Sequence, residues 1–202
     1  MPRMRTSDQL PLGLEWEIEP ASWRVDGDAL EVVAAGTTDN FVDPAGSVVA
    51  LNSARALAVE PGSGWQFSAR VAVDFRAECD AGVLLLWSDE RHFAKLCFER
   101  SPHGEPMVVS VVTRELSDDA NAWIVDADAV WLRISNVGHG VYAFHARGDD
   151  SPWDVVRYFA LSGGGPMKYG IAAQAPVGTG CTATFTHLEF SDRQLQNLRD
   201  GS

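Results

Sequence analysis

Short runs rich in β-branched and aromatic residues recur along the chain, roughly every 8–12 residues. Turn-forming clusters separate them, such as Asp-Gly-Asp at 26–28, Pro-Gly-Ser-Gly at 61–64 and Gly-Gly-Gly-Pro at 163–166. This spacing is typical of sandwiches and barrels, and no segment before residue 192 keeps a helical period. We therefore predict an all-β fold with strands at 14–19, 30–33, 47–51, 56–59, 65–75, 82–87, 93–99, 107–113, 130–135, 141–146, 155–161, 168–174 and 182–190.

Several of these runs alternate between apolar and polar residues. In the segment 93–99, Ala94, Leu96 and Phe98 alternate with residues that include Lys95 and Glu99. Alternation of this kind predicts a sheet with one packed face and one wetter face. The segment 83–87 is instead apolar on both faces. The outer face of that sheet is therefore expected to be partly covered, either as the floor of a groove or by an overlying loop.

Seven motifs, in order and at similar spacing, resemble one known family. They are Trp-Glu-Ile-Glu-Pro at 16–20, Thr-Asp-Asn-Phe at 38–41, Ala-Gly-Val-Leu-Leu at 81–85, Phe-Ala-Lys at 93–95 with Phe-Glu at 98–99, Val-Ser-Val-Val-Thr at 109–113 with Ser-Asp at 117–118, Trp-Leu-Arg-Ile at 131–134 and the segment 169–176.

The family is the domain-of-unknown-function 1349 group, also labelled regulation-of-enolase-like, within the concanavalin A-like lectin and glucanase superfamily. The resemblance implies a jelly-roll β-sandwich of two antiparallel sheets, concanavalin A-like, and a loose link to glycan-related proteins. It covers residues 14–191 as a single domain. Residues 1–13 are then a disordered or extended N-terminal segment, and 192–202 a C-terminal tail.

The charge balance narrows the choice of partner. Sixteen Lys and Arg against 28 Asp and Glu give a formal net charge of −12. Nucleic acid and anionic membranes both attract basic surfaces, so neither is an expected partner. A neutral sugar or polyol is compatible with this charge, and a protein partner stays an open alternative. Residues 1–11 lack the apolar core of a signal peptide, and the three cysteines lack zinc-ligand spacing, so we expect reduced thiols and a cytoplasmic protein.

Lys95 and Glu99 form the most specific polar pair of the sequence. Four residues apart on one strand, they share a face at a separation of about 13 Å, so each needs a partner from elsewhere. By alternation we expect Asp74 to pair with Lys95 and Arg133 to pair with Glu99. The pair would belong to a polar groove that binds hydroxyl groups or a carboxylate, or to a cross-strand ladder of salt bridges.

The remaining candidate ligand-binding residues are assigned around that pair. Trp87 and Trp131 would lie on the same outer face, and one or the other would stack on a sugar ring, as broad aromatic faces can. Four further side chains would form the rim of the groove: Asp39, Phe41, His145 and Gln174.

Catalysis and metal binding find less support in the sequence. The Glu-x-Asp-x-x-Glu motif of concanavalin A-like glucanases is absent, and Glu99 is the only carboxylate well placed on a central strand. No histidine pair has metal-ligand spacing, and the acidic segment 118–128, expected to be a solvated loop, lacks EF-hand spacing for Ca²⁺. We expect a non-catalytic binding protein without cofactor or metal. The alternatives are a glycoside-active enzyme using Glu99 and a protein-interaction module that modulates an enzyme.

Overall fold

The computed structural model describes residues 9–202, and within them the chain forms β-strands, one 3-10 turn at Pro11–Gly13 and connecting segments. The first eight residues of the predicted N-terminal segment lie outside the described residues. The strands are β1 (Glu15–Ile18), β2 (Ser22–Asp26), β3 (Ala29–Ala35), β4 (Asn40–Val42), β5 (Val49–Leu51), β6 (Ala54–Val59), β7 (Trp65–Asp74), β8 (Ala81–Asp89), β9 (His92–Arg100), β10 (Pro106–Arg114), β11 (Leu116–Ile124), β12 (Ala129–Gly138), β13 (Val141–Arg147), β14 (Asp154–Ala160), β15 (Lys168–Gln174) and β16 (Gly180–Ser191).

These strands form two seven-stranded antiparallel sheets. The first sheet has the order β1-β6-β15-β8-β9-β10-β11, and the second has the order β14-β13-β12-β7-β16-β3-β2. A separate two-stranded hairpin, β4–β5, lies outside both sheets. The prediction of an all-β sandwich of two antiparallel sheets is therefore confirmed.

The main hydrophobic core lies between the two sheets. Alternation directs Leu84, Leu96 and Phe98 of the first sheet and Phe67 and Phe144 of the second into this layer, where all five are completely buried. Burial of an aliphatic or aromatic side chain of this size contributes about 1.5–3 kcal/mol relative to leaving it exposed. The period-2 pattern of the sequence thus fixes which side chains of each strand remain available for a site.

A second apolar cluster lies on the outer face of the first sheet. Val83, Leu85 and Val109 are buried there, and the hairpin side chains Phe41 and Leu51 pack against them. The hairpin therefore accounts for the strand that is apolar on both faces. The sequence left open whether a groove or a loop covers this face. The structure has a covering hairpin, with small cavities beside it.

The prediction of a solvated loop at 118–128 is wrong over most of its length. Residues Leu116–Ile124 form β11, which pairs with β10 and has most of its side chains exposed. An edge strand needs hydrogen bonds on one side only, and outward acidic side chains discourage pairing with other chains. Such a strand carries no apolar alternation, which is why its sequence resembles a loop.

The outer face of the second sheet is also covered. The C-terminal tail, 192–202, lies over it, with the Leu195 side chain buried. Nη2 of Arg133 donates to the carbonyl of Gly201, and Nε2 of His145 donates to the carbonyl of Leu198.

Candidate functional site

Strand β9 places Lys95 and Glu99 on the outer face of the first sheet, as alternation predicts. Lys95 lies between Leu85 of β8 and Val111 of β10, and Glu99 is paired with Ala81 of β8. Both side chains thus lie on a face whose other members are mostly apolar. A charged group in such surroundings needs a partner or loses its charge.

Lys95 has two partners in the structure. Its Nζ donates to Oδ1 of Asp39 at 2.7 Å and to Oε1 of Gln174 at 3.0 Å, and it lies 5.9 Å from the centre of the Phe41 ring. The side chain is 2% exposed. Burial alone would lower the pKa of Lys95, but the charge and hydrogen bond of Asp39, together with the other acidic groups nearby, outweigh it, and the pKa lies above its usual value. Lys95 is therefore a charged, paired ammonium group.

The prediction that Asp74 pairs with Lys95 is wrong. Asp74 ends β7 in the second sheet and forms an exposed ion pair with Arg76 at 2.8 Å. Asp39 takes its place because the start of the hairpin folds over the first sheet. The carbonyl of Asp39 accepts hydrogen bonds from the backbone N–H groups of Asn52 and Ser53, which fixes its position beside Lys95.

Glu99 is the most perturbed acid of the site. Burial raises its pKa to about 8, and the negative charges of Asp119 and Asp39 add to the effect while Lys95 opposes it. The prediction that Arg133 pairs with Glu99 is wrong, because Arg133 lies on β12 in the other sheet. With no cation in contact within the described chain, Glu99 is mostly protonated at neutral pH and can donate a hydrogen bond.

A cavity of about 150 Å³ lies beside this pair. Its lining consists of four acidic or basic side chains with apolar, thiol and amide neighbours: Asp39, Lys95, Glu99, Asp119, Phe41, Val111, Cys79 and Gln174. Asp119 stands exposed at the rim, and burial of its carboxyl against the protein, with the charge of Asp39, raises its pKa. The cavity thus combines a paired cation, a neutral acid and a rim carboxylate.

Five of the nine predicted site residues line this cavity: Asp39, Phe41, Lys95, Glu99 and Gln174. Trp87 lies on the same outer face but is 5% exposed. Phe93 stacks on its ring at 5.0 Å between centroids, and the Arg55 guanidinium lies 4.0 Å from the ring centre. Side chains of the protein itself therefore take the stacking contacts that were predicted for a ligand.

The other three, Trp131, Arg133 and His145, do not share this groove. The expectation that they line one face with Lys95 is wrong, because β12 and β13 belong to the second sheet and these residues point away from the common core. Alternation identifies outward positions correctly but does not say to which sheet a strand belongs. His145 is completely buried beneath the C-terminal tail, and burial lowers its pKa, so it is neutral.

Sequence reasoning missed three residues of the cavity, Asp119, Val111 and Cys79. Pairing of Val111 with Asp119 brings the carboxyl to the cavity, a placement available only once 116–124 is recognised as a strand. Cys79 lies in the connection before β8 with φ of 62°, where its backbone carbonyl accepts a hydrogen bond from Gln174. No pattern in the sequence signals that position.

The three cysteines are free thiols, and their surroundings make them poor nucleophiles. Burial raises the pKa of Cys79 and of Cys181 to about 12, and it raises that of Cys97 well above its usual value. We expect none of the thiols of the folded protein to react within minutes with an aromatic disulfide reagent at pH 8, because only the thiolate attacks.

Unfolding in guanidinium chloride should release all three thiols, which provides the control for that measurement. Rapid reaction of even one thiol in the native protein would contradict the burial described here.

Two further properties follow from the described residues. Between residues 9 and 202, no three His, Cys, Asp or Glu side chains are arranged to hold a metal ion. In the same part of the chain, no helix has the length and apolar character needed to cross a membrane.

Several solved structures share this fold. A functionally unknown protein from Saccharomyces cerevisiae superposes with a TM-score of 0.79 at 22% identity, over 88% of this chain and 95% of its own. The GH43 protein BlXynB from Bacillus licheniformis superposes with a TM-score of 0.71 at 13% identity, over 92% of this chain and 38% of its own.

A xylan β-1,4-xylosidase from Bacillus halodurans C-125 gives a TM-score of 0.66 at 11% identity, over 80% of this chain and 32% of its own. The chain thus spans about a third of the length of the two glycoside hydrolase chains. At these identities the likeness concerns the fold alone. No curated protein gives a significant match.

A family model provides the sequence-level assignment. The model described as "Protein of unknown function (DUF1349)" matches residues 16–193, which is nearly the whole chain and agrees with the resemblance of the seven motifs. The chain therefore belongs to the DUF1349 family.

Proposed function

We propose that this protein binds a small neutral polyhydroxyl ligand, a sugar or polyol, in the cavity beside Lys95 and Glu99, without catalysing a reaction on it. The observation that carries the proposal is the charge state of the cavity. Asp39 neutralises Lys95, and the raised pKa of Glu99 leaves its carboxyl protonated at neutral pH. An anion therefore gains little from Lys95, whereas hydroxyl groups find both donors and acceptors.

The hydrogen-bonding groups match a vicinal diol. An ammonium group has three donors, and Lys95 directs two of them to Asp39 and Gln174. The third donor and the protonated Glu99 could each donate to a hydroxyl oxygen, while the carboxylate of Asp119 accepts a hydroxyl proton. The Phe41 ring adds an apolar wall.

The size of the cavity limits the ligand. A cavity of about 150 Å³ holds a molecule of the size of benzene, which corresponds to one unsubstituted six-membered ring. A single pentose or the end of a glycan chain is therefore the largest group that could enter. Among the proteins of similar fold, one is described as a xylan β-1,4-xylosidase, which makes xylose a reasonable first probe.

The binding test is a titration of the protein with D-xylose, D-glucose and glycerol, in which binding is monitored through the amide chemical shifts of the protein. We expect saturable shifts at residues around the cavity with a Kd near about 1 mM, typical of a few hydrogen bonds. Asp119→Asn should weaken binding at least about tenfold, because it removes a charged acceptor at the rim.

Asp118→Asn is the matched control, since Asp118 is the adjacent residue on the opposite face of β11 and pairs with Arg157. It should leave the affinity unchanged. Absence of saturable shifts with all three probes up to about 100 mM would overturn the proposal.

A second candidate function, glycoside hydrolysis, is favoured by one observation. Glu99 has a raised pKa and shares its cavity with the carboxyls of Asp39 and Asp119, and a protonated acid beside a second carboxyl is what such enzymes use. The small cavity favours binding, because cleavage requires room on both sides of the scissile bond. Hydrolysis of aryl xylosides that is abolished by Glu99→Gln would support the enzyme instead.

A further inference from the structure

A cavity larger than the one beside Lys95 lies on the outer face of the second sheet, beneath the C-terminal tail. Its volume is about 480 Å³, within the range of about 300–1,000 Å³ typical of small-molecule sites. Its walls include the side chains of Trp131, Arg133, Arg147 and Trp153. Because it lies on the opposite side of the sandwich from Lys95, any function of this cavity is independent of the function proposed above.

The four side chains form an alternating ladder of indole rings and guanidinium groups. The Arg133 guanidinium carbon lies 4.2 Å from the centre of the Trp153 ring. That of Arg147 lies 4.7 Å from the Trp131 ring and 5.0 Å from the Trp153 ring. Stacking of this kind orders both the guanidinium groups and the rings before any ligand arrives.

The two arginines of the ladder lack carboxylate partners. Arg133 is 8% exposed, its Nη2 donates to the carbonyl of Gly201, and its buried Nε has no acceptor. Arg147 donates only to backbone carbonyls, of Gly148, Asp149 and Ser151, and its buried Nε also has no acceptor. Six arginines elsewhere in the described chain do pair with carboxylates: Arg24, Arg55, Arg70, Arg76, Arg91 and Arg157.

The acidic side chains nearby do not supply Arg133 and Arg147 with the missing carboxylate partners. The carboxylate of Asp149 accepts hydrogen bonds from Arg70 and from Nε1 of Trp131, so it is already shared. Glu189 lines the cavity with an exposed side chain and forms no ion pair with Arg133 or Arg147. Burial and the charge of Arg147 lower the pKa of Arg133 to about 10, as expected for a guanidinium group without a carboxylate beside it.

We propose that this cavity binds a carboxylate-bearing ligand of sugar size, such as a uronic acid. The carboxylate supplies the counter-charge that Arg133 and Arg147 lack, and its planar pair of oxygens fits the edge of a guanidinium group. Trp131 and Trp153 line the wall, but their ring faces are taken by Arg133, Arg147 and His187, so they shape the cavity and do not stack on the ligand. Gln66, Ser68 and Gln194 offer polar contacts around it. In a chain of net charge −12, two unpaired arginines in one cavity form a local positive site.

The test is calorimetric titration of the full chain with D-glucuronate, D-glucose and inorganic phosphate. We expect saturable binding of glucuronate, at least tenfold weaker binding of glucose, and weakening of the glucuronate affinity as salt is raised. Arg133→Gln and Arg147→Gln should each reduce the glucuronate affinity at least tenfold. Arg24→Gln is the matched control, because Arg24 pairs with Glu31 on the surface and does not line the cavity.

Thermal unfolding of each variant separates loss of binding from loss of the fold. If Arg133→Gln is unstable, Arg147→Gln alone carries the test, because Arg147 is less buried. Failure of glucuronate to bind the native protein, or binding of phosphate without glucuronate, would overturn the proposal. Equal affinities for glucuronate in the Arg147→Gln variant and the native protein would also overturn it. None of these outcomes bears on the Lys95 cavity.

Discussion

Asp39→Asn should destabilise the protein by about 3 kcal/mol at pH 7, measured by urea unfolding. The substitution keeps the shape of the side chain but leaves the Lys95 ammonium, 2% exposed, without its counter-charge. Breaking a buried ion pair from one side is costly because the remaining charge stays desolvated. The variant should recover part of its stability at high pH, where Lys95 can lose its proton.

The matched control is Asp74→Asn. Asp74 also forms an ion pair, with Arg76, but more than half of each side chain is exposed. Water replaces the lost contact at such a site, so the midpoint of unfolding should barely move. Equal effects of the two substitutions would contradict the buried character of the Lys95–Asp39 pair.

Glu99→Gln should stabilise the protein at high pH and have little effect at low pH. The pKa of Glu99 is about 8 in the folded chain, against a reference value of 4.5. A group whose pKa is higher in the folded chain than in the unfolded chain stabilises the fold fully at a pH below its unfolded-state pKa. This stabilisation is lost as the pH rises through its folded-state pKa. The native protein therefore loses stability through this group between about pH 4.5 and 8, whereas the glutamine variant does not.

Urea unfolding at pH 5, 7 and 9 measures this difference. One pKa unit corresponds to about 1.36 kcal/mol, and the carboxyl keeps some contact with solvent, so we expect a relative gain of about 3 kcal/mol at pH 9. Glu31→Gln serves as the control. A hydrogen bond from Arg24 lowers the pKa of Glu31, so its contribution is complete above about pH 4.5 and its effect should stay flat over this range. A pH-independent effect of Glu99→Gln would contradict a buried neutral acid.

The spacing of the turn signals was sufficient to predict an all-β fold, and period-2 alternation was sufficient to predict the direction of each central side chain. Leu96 and Phe98 face the core, and Lys95 and Glu99 face outward, because successive residues of a strand point to opposite faces. The partners of Lys95 and Glu99 could not be predicted in the same way. Pairing across 56 residues between Asp39 and Lys95 depends on how the hairpin folds over the sheet, and no local pattern encodes that.

The sequence also did not reveal which of the two sheets each strand joins. Arg133 and Lys95 both occupy outward positions in alternating strands, yet they lie on opposite sides of the sandwich. The order of strands in an antiparallel sandwich is set by long-range connections, which periodicity within one strand does not report. The edge strand with Asp119 was missed for a related reason: exposed acidic residues are as compatible with an edge strand as with a loop, so composition does not distinguish the two.

The hairpin β4–β5 turns the central part of the first sheet into the middle layer of three. Outward positions such as Val83, Leu85 and Val109 are enclosed by Phe41 and Leu51, as fully as positions facing the other sheet. Among related sequences, these positions should therefore accept as little variation in volume and polarity as the central core. Sequence drift on this side of the molecule should be concentrated at the hairpin tip and along β11, where side chains meet water.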